Sequence, residues 1–434
     1  MSTGFLEQFA EWAANNRLSC PSKALEEARL AYIDTIACII AGQDQPLSTK
    51  IHQLNQSLHS ESSVMGTAML YACQAGILDY DDYESAGSSH PSAPIIAAVL
   101  AFLEQKKFTV QQVLEAWIAG YEIIVRMGQS LGYDHYEKGW HSTSTLGSIA
   151  ASVAIGRLIN LSPQEMLRAM SLASSSSAGM KLQFGTEAKV VHEGLAAQAG
   201  IQAALLAHQR VRAYPDFYDG PDGFRILYGT KNSKPLNQLI SSITLGHGSI
   251  DFQAIRKPWP ACAYTQRIIE AGEKLHHQIS SLAEIAHVII NIPEPWMKVV
   301  RFHRPTSDGE ARFSSTYCVM MAIRSGALGP ADFTNEIFLD PERLKLTDLA
   351  RVESFPVTKG FTEMSPAFPD TVTIVLKNGE TISENIGHVM GGKERPMTAD
   401  DLKLKFEKCS KNLSMFDQIL NADLSSDAQS VLSF

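Results

Sequence analysis

The sequence predicts a mainly α protein, a large all-helical domain with a smaller inserted α+β domain. Three observations support this. Apolar residues repeat every three or four positions through about the first 260 residues, β-branched runs begin only near residue 283, and helical spacing returns after about residue 396. At roughly 150 residues per domain, 434 residues suggest about two or three domains and a large core.

Lys23 to Ala41, behind Pro21-Ser22, repeats Leu25, Ala28, Tyr32, Ile36 and Ile39 at helical spacing, and Gly42 reads as its left-handed stop. Thr109 to Gln112 has capping-box spacing ahead of a run to Tyr121 and Ile124. Ser162-Pro163-Gln164-Glu165 is the stronger case, because the hydroxyl caps amides, Pro fits the first turn and Glu sits three residues on. Gly147 to Gly156 and Gly194 to Ala207 are so rich in Ala, Gly and Ser that helix axes can approach closely, which marks them as central helices. Ser174 to Ser177 reads as a helix end. Ala286 to Ile292 and Thr371 to Leu376 read as strands, the second followed by a hairpin turn at Asn378-Gly379, where both central residues tolerate positive φ. One helical stretch, Glu310 to Gly326, lies between them, and Thr398 to Cys409 returns to helix. The predicted division is 1–265 with 396–434 for the helical domain and 266–395 for the α+β domain.

Charge narrows the partners. With 37 basic against 46 acidic side chains, a net of −9, the chain lacks the basic excess that a nucleic acid or anionic membrane calls for. No apolar run reaches the roughly 18 residues of a membrane span, and the first residues lack the basic-then-apolar layout of a signal peptide. A cytoplasmic protein acting on small molecules is the expectation. The six cysteines include no C-x-x-C pair, so neither a zinc knuckle nor a disulfide framework is signalled, and most are expected to be buried thiols. There is no G-x-G-x-x-G after a strand, no phosphate-binding loop, no H-E-x-x-H and no G-x-S-x-G. None of these patterns calls for a cofactor or a metal.

Four constellations remain. Leu78 to Asp82, continuing through Tyr83 and Glu84, joins four acids to His90-Pro91-Ser92 through a Gly/Ser loop. If Asp79 to Tyr83 is helical, Asp79, Asp82 and Tyr83 share a face, and His90 follows just before a helix N-terminus that favours an anion. A solvated helix end explains the same acids about as well. Gly139 to Gly147 sets His141 before a small-residue helix, although a lone histidine there is more often a structural hydrogen-bonder. Phe184 to Gly194 has spacing that lets Lys189 and His192 share a helix face, although a surface lysine is the commoner explanation, and Lys257 to Thr265 is a Pro-stiffened crossing that contains Cys262.

In this order the four constellations resemble the MmgE/PrpD family, whose members include 2-methylcitrate dehydratase, cis-aconitate decarboxylase and iminodisuccinate epimerase. The motifs carrying the resemblance are Leu78 to Asp82 with His90 to Ser92, Gly139 to Gly147, Phe184 to Gly194, and Lys257 to Cys262. The resemblance implies a large helical domain with an α+β lid inserted before the C-terminal helices, usually as a homodimer. It also implies an active site between the two domains, with no organic cofactor. Carried over by motif position, the catalytic residues are Asp79, His90, His141 and Lys189, and the substrate-binding residues are Tyr83, Lys257 and Cys262. Tyr83 and Cys262 depart from cis-aconitate decarboxylase, which has Thr and His there. Tyr71-Ala72 and Gly76 stand where the family usually has Asn-Gly and His.

The implied substrate is a small di- or tricarboxylate, attacked at a carbon next to a carboxylate. One of His141 and His90 moves the proton while the other serves as acid, and positioned acid–base catalysis is worth about 10²- to 10⁴-fold. Asp79 is expected to orient an imidazole, and Lys189 and Lys257 to hold substrate carboxylates. The helix N-termini before Ser92 and after His141 are expected to add partial positive charge. Arg304 and Arg312 are weaker candidates over the ligand. A chain of net −9 then has to concentrate its positive charge in one cleft. Dehydration is the first choice, with decarboxylation and epimerisation as alternatives. Asp79-Tyr80-Asp81-Asp82 also fits the D-x-D-D motif of an isoprenoid cyclase, although 8% aromatic content argues against its apolar cavity. A non-catalytic helical carboxylate-binding protein is the third class.

Overall fold

A computed structural model describes residues 4–58, 63–338, 340–358 and 363–434. These residues are mainly helical, with one small sheet. The main helices of the first part are α1 (Ser22–Gly42), α2 (Val64–Gly76), α3 (Ser92–Leu103), α4 (Val110–Leu131), α5 (Ser142–Leu158), α6 (Pro163–Ser174) and α7 (Ala188–His208). Both capping boxes form: Thr109 Oγ1 accepts from Gln112 N while Gln112 returns a bond to Thr109 N, and Ser162 and Glu165 do the same.

Every residue of α3 is buried, as is every residue of α5 except Arg157, so these two are the centre of the bundle. Small residues permit it. A Cβ on Gly200 would lie 2.4 Å from the Ala151 Cβ, and one on Gly147 2.9 Å from Pro94, so α7 and α3 reach α5 almost backbone to backbone. α7 is less central than its composition suggests, because Leu195, Leu205 and Leu206 are exposed. Gly42 is no left-handed stop: it is helical, and a Cβ there would meet the Gln74 carbonyl oxygen at 2.2 Å, so close packing of α1 on α2 explains the glycine.

After α8 (Gln266–His276) come β1 (Ile285–Pro293), α9 (Ser315–Ser325), β2 (Ala350–Phe355), β3 (Asp370–Leu376) and β4 (Thr381–Ile386), and then α10 (Ala399–Cys409), capped by Thr398. The sheet order is β2-β1-β3-β4, with β2 parallel to β1 and the other pairs antiparallel. The β3–β4 hairpin forms, but only Gly379 takes positive φ. β2 lacks a pattern in the sequence because it is a half-exposed edge strand. The predicted helix Glu310–Gly326 is two pieces, Asp308–Arg312 and α9, broken at Phe313.

Two cores result. One draws on Phe5 to Ala254 and on Leu402 to Leu432, the other on Ile255 to Val389 together with Tyr83, Tyr136 and Phe184 from the first part of the chain. Those three residues mark where the two units meet. Among the described residues, no helix is long and apolar enough to cross a membrane, and the six cysteines are free thiols, four of them buried.

Candidate active site

Close packing of α2, α3, α5 and α7 brings the C-terminus of α2 and the N-termini of the other three to one place. Asp79 follows α2, His90 stands two residues before α3, His141 is the N-cap of α5, and Lys189 is in the first turn of α7. These four, with Tyr83, Ser88 and Cys262, line a cavity of about 20 Å³ walled by Tyr136, Phe184, Tyr264 and Phe313. Asp79, Lys189 and Phe313 also face a larger cleft of about 540 Å³ between the two units, which Arg312 and Glu310 line from the α+β side.

The predicted helical face of Asp79, Asp82 and Tyr83 does not form. Asp79 takes φ +49°, a left-handed conformation costing on the order of 1–3 kcal/mol in a non-glycine residue, and the chain beyond it is not helical. The turn separates the three acids. Asp79 faces Lys189 Nζ at 2.9 Å and Lys257 Nζ at 3.3 Å, and Asp81 faces His90 Nδ1 at 3.1 Å and Lys257 at 3.7 Å. Asp82 turns away to Ser92, whose backbone amide and hydroxyl both donate to it, while Trp117 Nε1 donates to the Ser92 hydroxyl. The N-terminus of α3 is therefore already filled by the Asp82 carboxyl, pushed up to about 7 by burial, and is not open to substrate. Glu84 ties the loop together by accepting from the Ala86, Gly87 and Ser89 amides and from the Ser89 hydroxyl.

The orienting role expected of Asp79 falls to its neighbours. His90 Nδ1 lies 2.8 Å from the Asp82 carbonyl and 3.1 Å from the Asp81 carboxylate, leaving Nε2 toward the cavity, 3.8 Å from Asp79. His141 is held differently: its Nδ1 is 3.1 Å from His192 Nδ1, and its Nε2 is buried without a hydrogen-bond partner. Burial lowers the pKa of both imidazoles. For His90, Asp81 opposes that shift, whereas for His141 the cationic Lys189 and the neighbouring His192 deepen it, taking it well below the usual value.

Lys189 also lies 3.1 Å from Glu193, one helical turn on. Burial resists the ammonium charge, but Asp79, Glu193 and Asp81 together hold it charged, with a pKa well above normal. In return, Lys189 and Lys257 keep Asp79 ionised despite its burial. Burial pushes the Glu193 carboxyl up to about 8. Gly76 makes room for it, since a Cβ there would sit 1.9 Å from Glu193 Oε2. The expected concentration of positive charge therefore does not exist: two lysines face Asp79 and Asp81, and the imidazoles are neutral.

Lys257, expected over the ligand, is fully buried and reaches neither cavity wall. Cys262 lines the cavity with its thiol pushed up to about 12 by burial and by Asp79. Arg312 lies in the cleft wall, while Arg304 is on the surface, paired with Asp348 at 2.8 Å. Asp79, Asp81 and His90 could together offer a metal three ligand atoms within 4.8 Å of one another, but Lys189 and Lys257 already compensate the two carboxylates. Sequence reasoning did not single out Asp81, Glu193 or Tyr264. Asp81 and Tyr264 stand inside the quoted motifs, and Glu193 follows His192, so spacing could have drawn attention to them but could not show what they touch.

The chain is similar to several curated proteins. The chain is 26% identical to a cis-aconitate decarboxylase of Aspergillus terreus over 93% of its own length and 89% of the relative's, and 25% identical to that of Mus musculus over 79% and 71%. It is 24% identical to a mitochondrial 2-methylcitrate dehydratase of Yarrowia lipolytica over 86% and 77%. Both named activities are lyase reactions. With residues 7–236 matching the MmgE/PrpD N-terminal domain and residues 259–420 the C-terminal domain, the chain belongs to the MmgE/PrpD family.

Proposed function

We propose that this chain is a cofactor-independent lyase that removes a proton from a carbon next to a carboxylate of a small di- or tricarboxylate, with 2-methylcitrate-type dehydration as the first reading. The observation that carries it is the buried, unpartnered Nε2 of neutral His141, which shares a cavity with the Lys189 ammonium. A base without a proton beside a fixed cation suits abstraction of a carbon-bound proton, because the cation stabilises the enediolate charge as it develops.

The two histidines divide the work by their surroundings. His141 takes the proton at Nε2, and His192 supports the imidazolium through Nδ1. His90 faces Asp81 and Asp79, so it is the imidazole better able to carry a proton once a multiply negative substrate arrives. It then protonates the departing hydroxide as the carbon–oxygen bond breaks and the double bond forms. Lys189 gives two of its three N–H groups to Asp79 and Glu193 and the third to a substrate carboxylate. Tyr83 and Cys262 shape the remaining wall. Lys257 acts from behind, keeping Asp79 and Asp81 ionised. The α+β unit is the lid: the cavity is too small for a tricarboxylate, so ligand entry requires the lid to move.

Decarboxylation of cis-aconitate is the second reading, supported by the higher identity to decarboxylases. Incubating the protein with 2-methylcitrate, citrate, cis-aconitate and iminodisuccinate in D₂O, followed by proton NMR, tests the reading. Absence of deuterium uptake and turnover with all four overturns it. A homodimer is also proposed, resting on exposed apolar residues between 180 and 227, with Leu182, Tyr214 and Leu227 at 67%, 87% and 58% exposure. Light scattering at the mass of one chain would refute it.

A further inference from the structure

The side chain of Glu363, in the α+β unit, is buried against residues of the reaction cavity. It accepts hydrogen bonds from the hydroxyls of Tyr83 and Tyr264, one to each carboxylate oxygen, and from Ser88 Oγ at 2.7 Å. All three hydroxyl residues line the cavity of Asp79, His90, His141 and Lys189. No lysine or arginine is among the partners of Glu363 in the described residues, and burial alone pushes its carboxyl well up. A carboxyl group held by hydroxyls without a counter-charge is bound weakly and gives way to an ionised carboxylate.

We propose that Tyr83, Ser88 and Tyr264 form a carboxylate subsite of the reaction cleft, and that Glu363 is its resident until a substrate carboxylate displaces it. The two tyrosines bridge both oxygens of one carboxylate, the geometry a substrate carboxylate needs. Lys189 and Lys257 are largely engaged by Asp79 and Asp81, so these hydroxyls add donors for a second negative group. Space agrees, because about 20 Å³ holds no six-carbon ligand while the resident stays.

The inference rests on the carboxylate-lyase reading, and its test separates the two. The probe is propane-1,2,3-tricarboxylate, which has no leaving group, titrated calorimetrically into the wild type, Glu363→Ala, Glu363→Gln and Tyr264→Phe. Removing the resident lifts its competition, so E363A is expected to bind on the order of tenfold more tightly than wild type. E363Q, which keeps the shape, should fall between them, and it carries the test if E363A does not fold. Y264F should bind several-fold more weakly than wild type. Binding by wild type with no gain in either Glu363 variant overturns the resident carboxylate alone. Failure of every protein to bind the probe, with no turnover of the four substrates, overturns the function reading and this inference with it.

Discussion

The Asp79 carboxylate and the Lys189 ammonium lie 2.9 Å apart with both side chains at least 96% buried, one after the C-terminus of α2 and the other in the first turn of α7. The pair fixes the relative position of two helix ends. Removing one partner leaves an uncompensated charge in the core, so Lys189→Met is expected to cost about 3–5 kcal/mol in denaturant unfolding and at least about 10²-fold in turnover. Asp79→Asn with Lys189→Met should cost less than the sum of the two. Additive losses would show that the pair is not coupled.

His141 should be the base and His192 its positioning partner. His141→Gln is expected to abolish deuterium uptake from D₂O, while His192→Phe should lower kcat about tenfold or more and move the pH profile. A loss in His192→Phe with an unmoved profile would point to a purely structural role.

The pH dependence has a definite sign. A base works when unprotonated, and burial, reinforced by Lys189 and His192, lowers the His141 pKa well below the usual imidazole value. Activity should therefore stay level as pH falls through about 6.5, the free imidazole value, and decline only further down. A kcat/KM profile, corrected for substrate ionisation, with its acid limb at or above 6.5 would refute this.

Glu193 should make stability fall with rising pH. Its carboxyl titrates at about 8 when folded, chiefly through burial, against about 4.3 in the unfolded chain. Between those values the folded chain holds a proton that the unfolded chain has released, so stability drops as pH rises across that window. Glu193→Gln should gain on wild type steadily from pH 5 to about pH 8 and level off above it in urea unfolding. A constant difference would mean that Glu193 is ionised throughout.

Gly76 and Glu193 occupy one space. Gly76→Ala should cost about 1–3 kcal/mol by pushing the carboxylate off Lys189, and Glu193→Ala in the same chain should return part of that loss. Calorimetric melting of the single and double variants measures it. Gly76 is thus matched by an acid one helix away.

The sequence by itself determined the helical body, both capping boxes, the two clearest strands and six of the residues around the cavity, because helical period, cap chemistry and motif spacing are local properties. It also placed His90 and His141 just before helix starts. Only the tertiary structure decided which acid faces which cation. The turn at Asp79 brings Asp79 and Asp81 together on Lys257 and sends Asp82 the other way, so Asp81 orients His90 while Asp82 caps α3. Local spacing cannot carry that, because one backbone dihedral redirects every side chain after it. Packing also brought in Glu193 through the space left by Gly76, and Glu363 from 280 residues beyond Tyr83. A buried charge is settled by whatever the fold places within a few ångströms of it, and that distance has no counterpart along the chain.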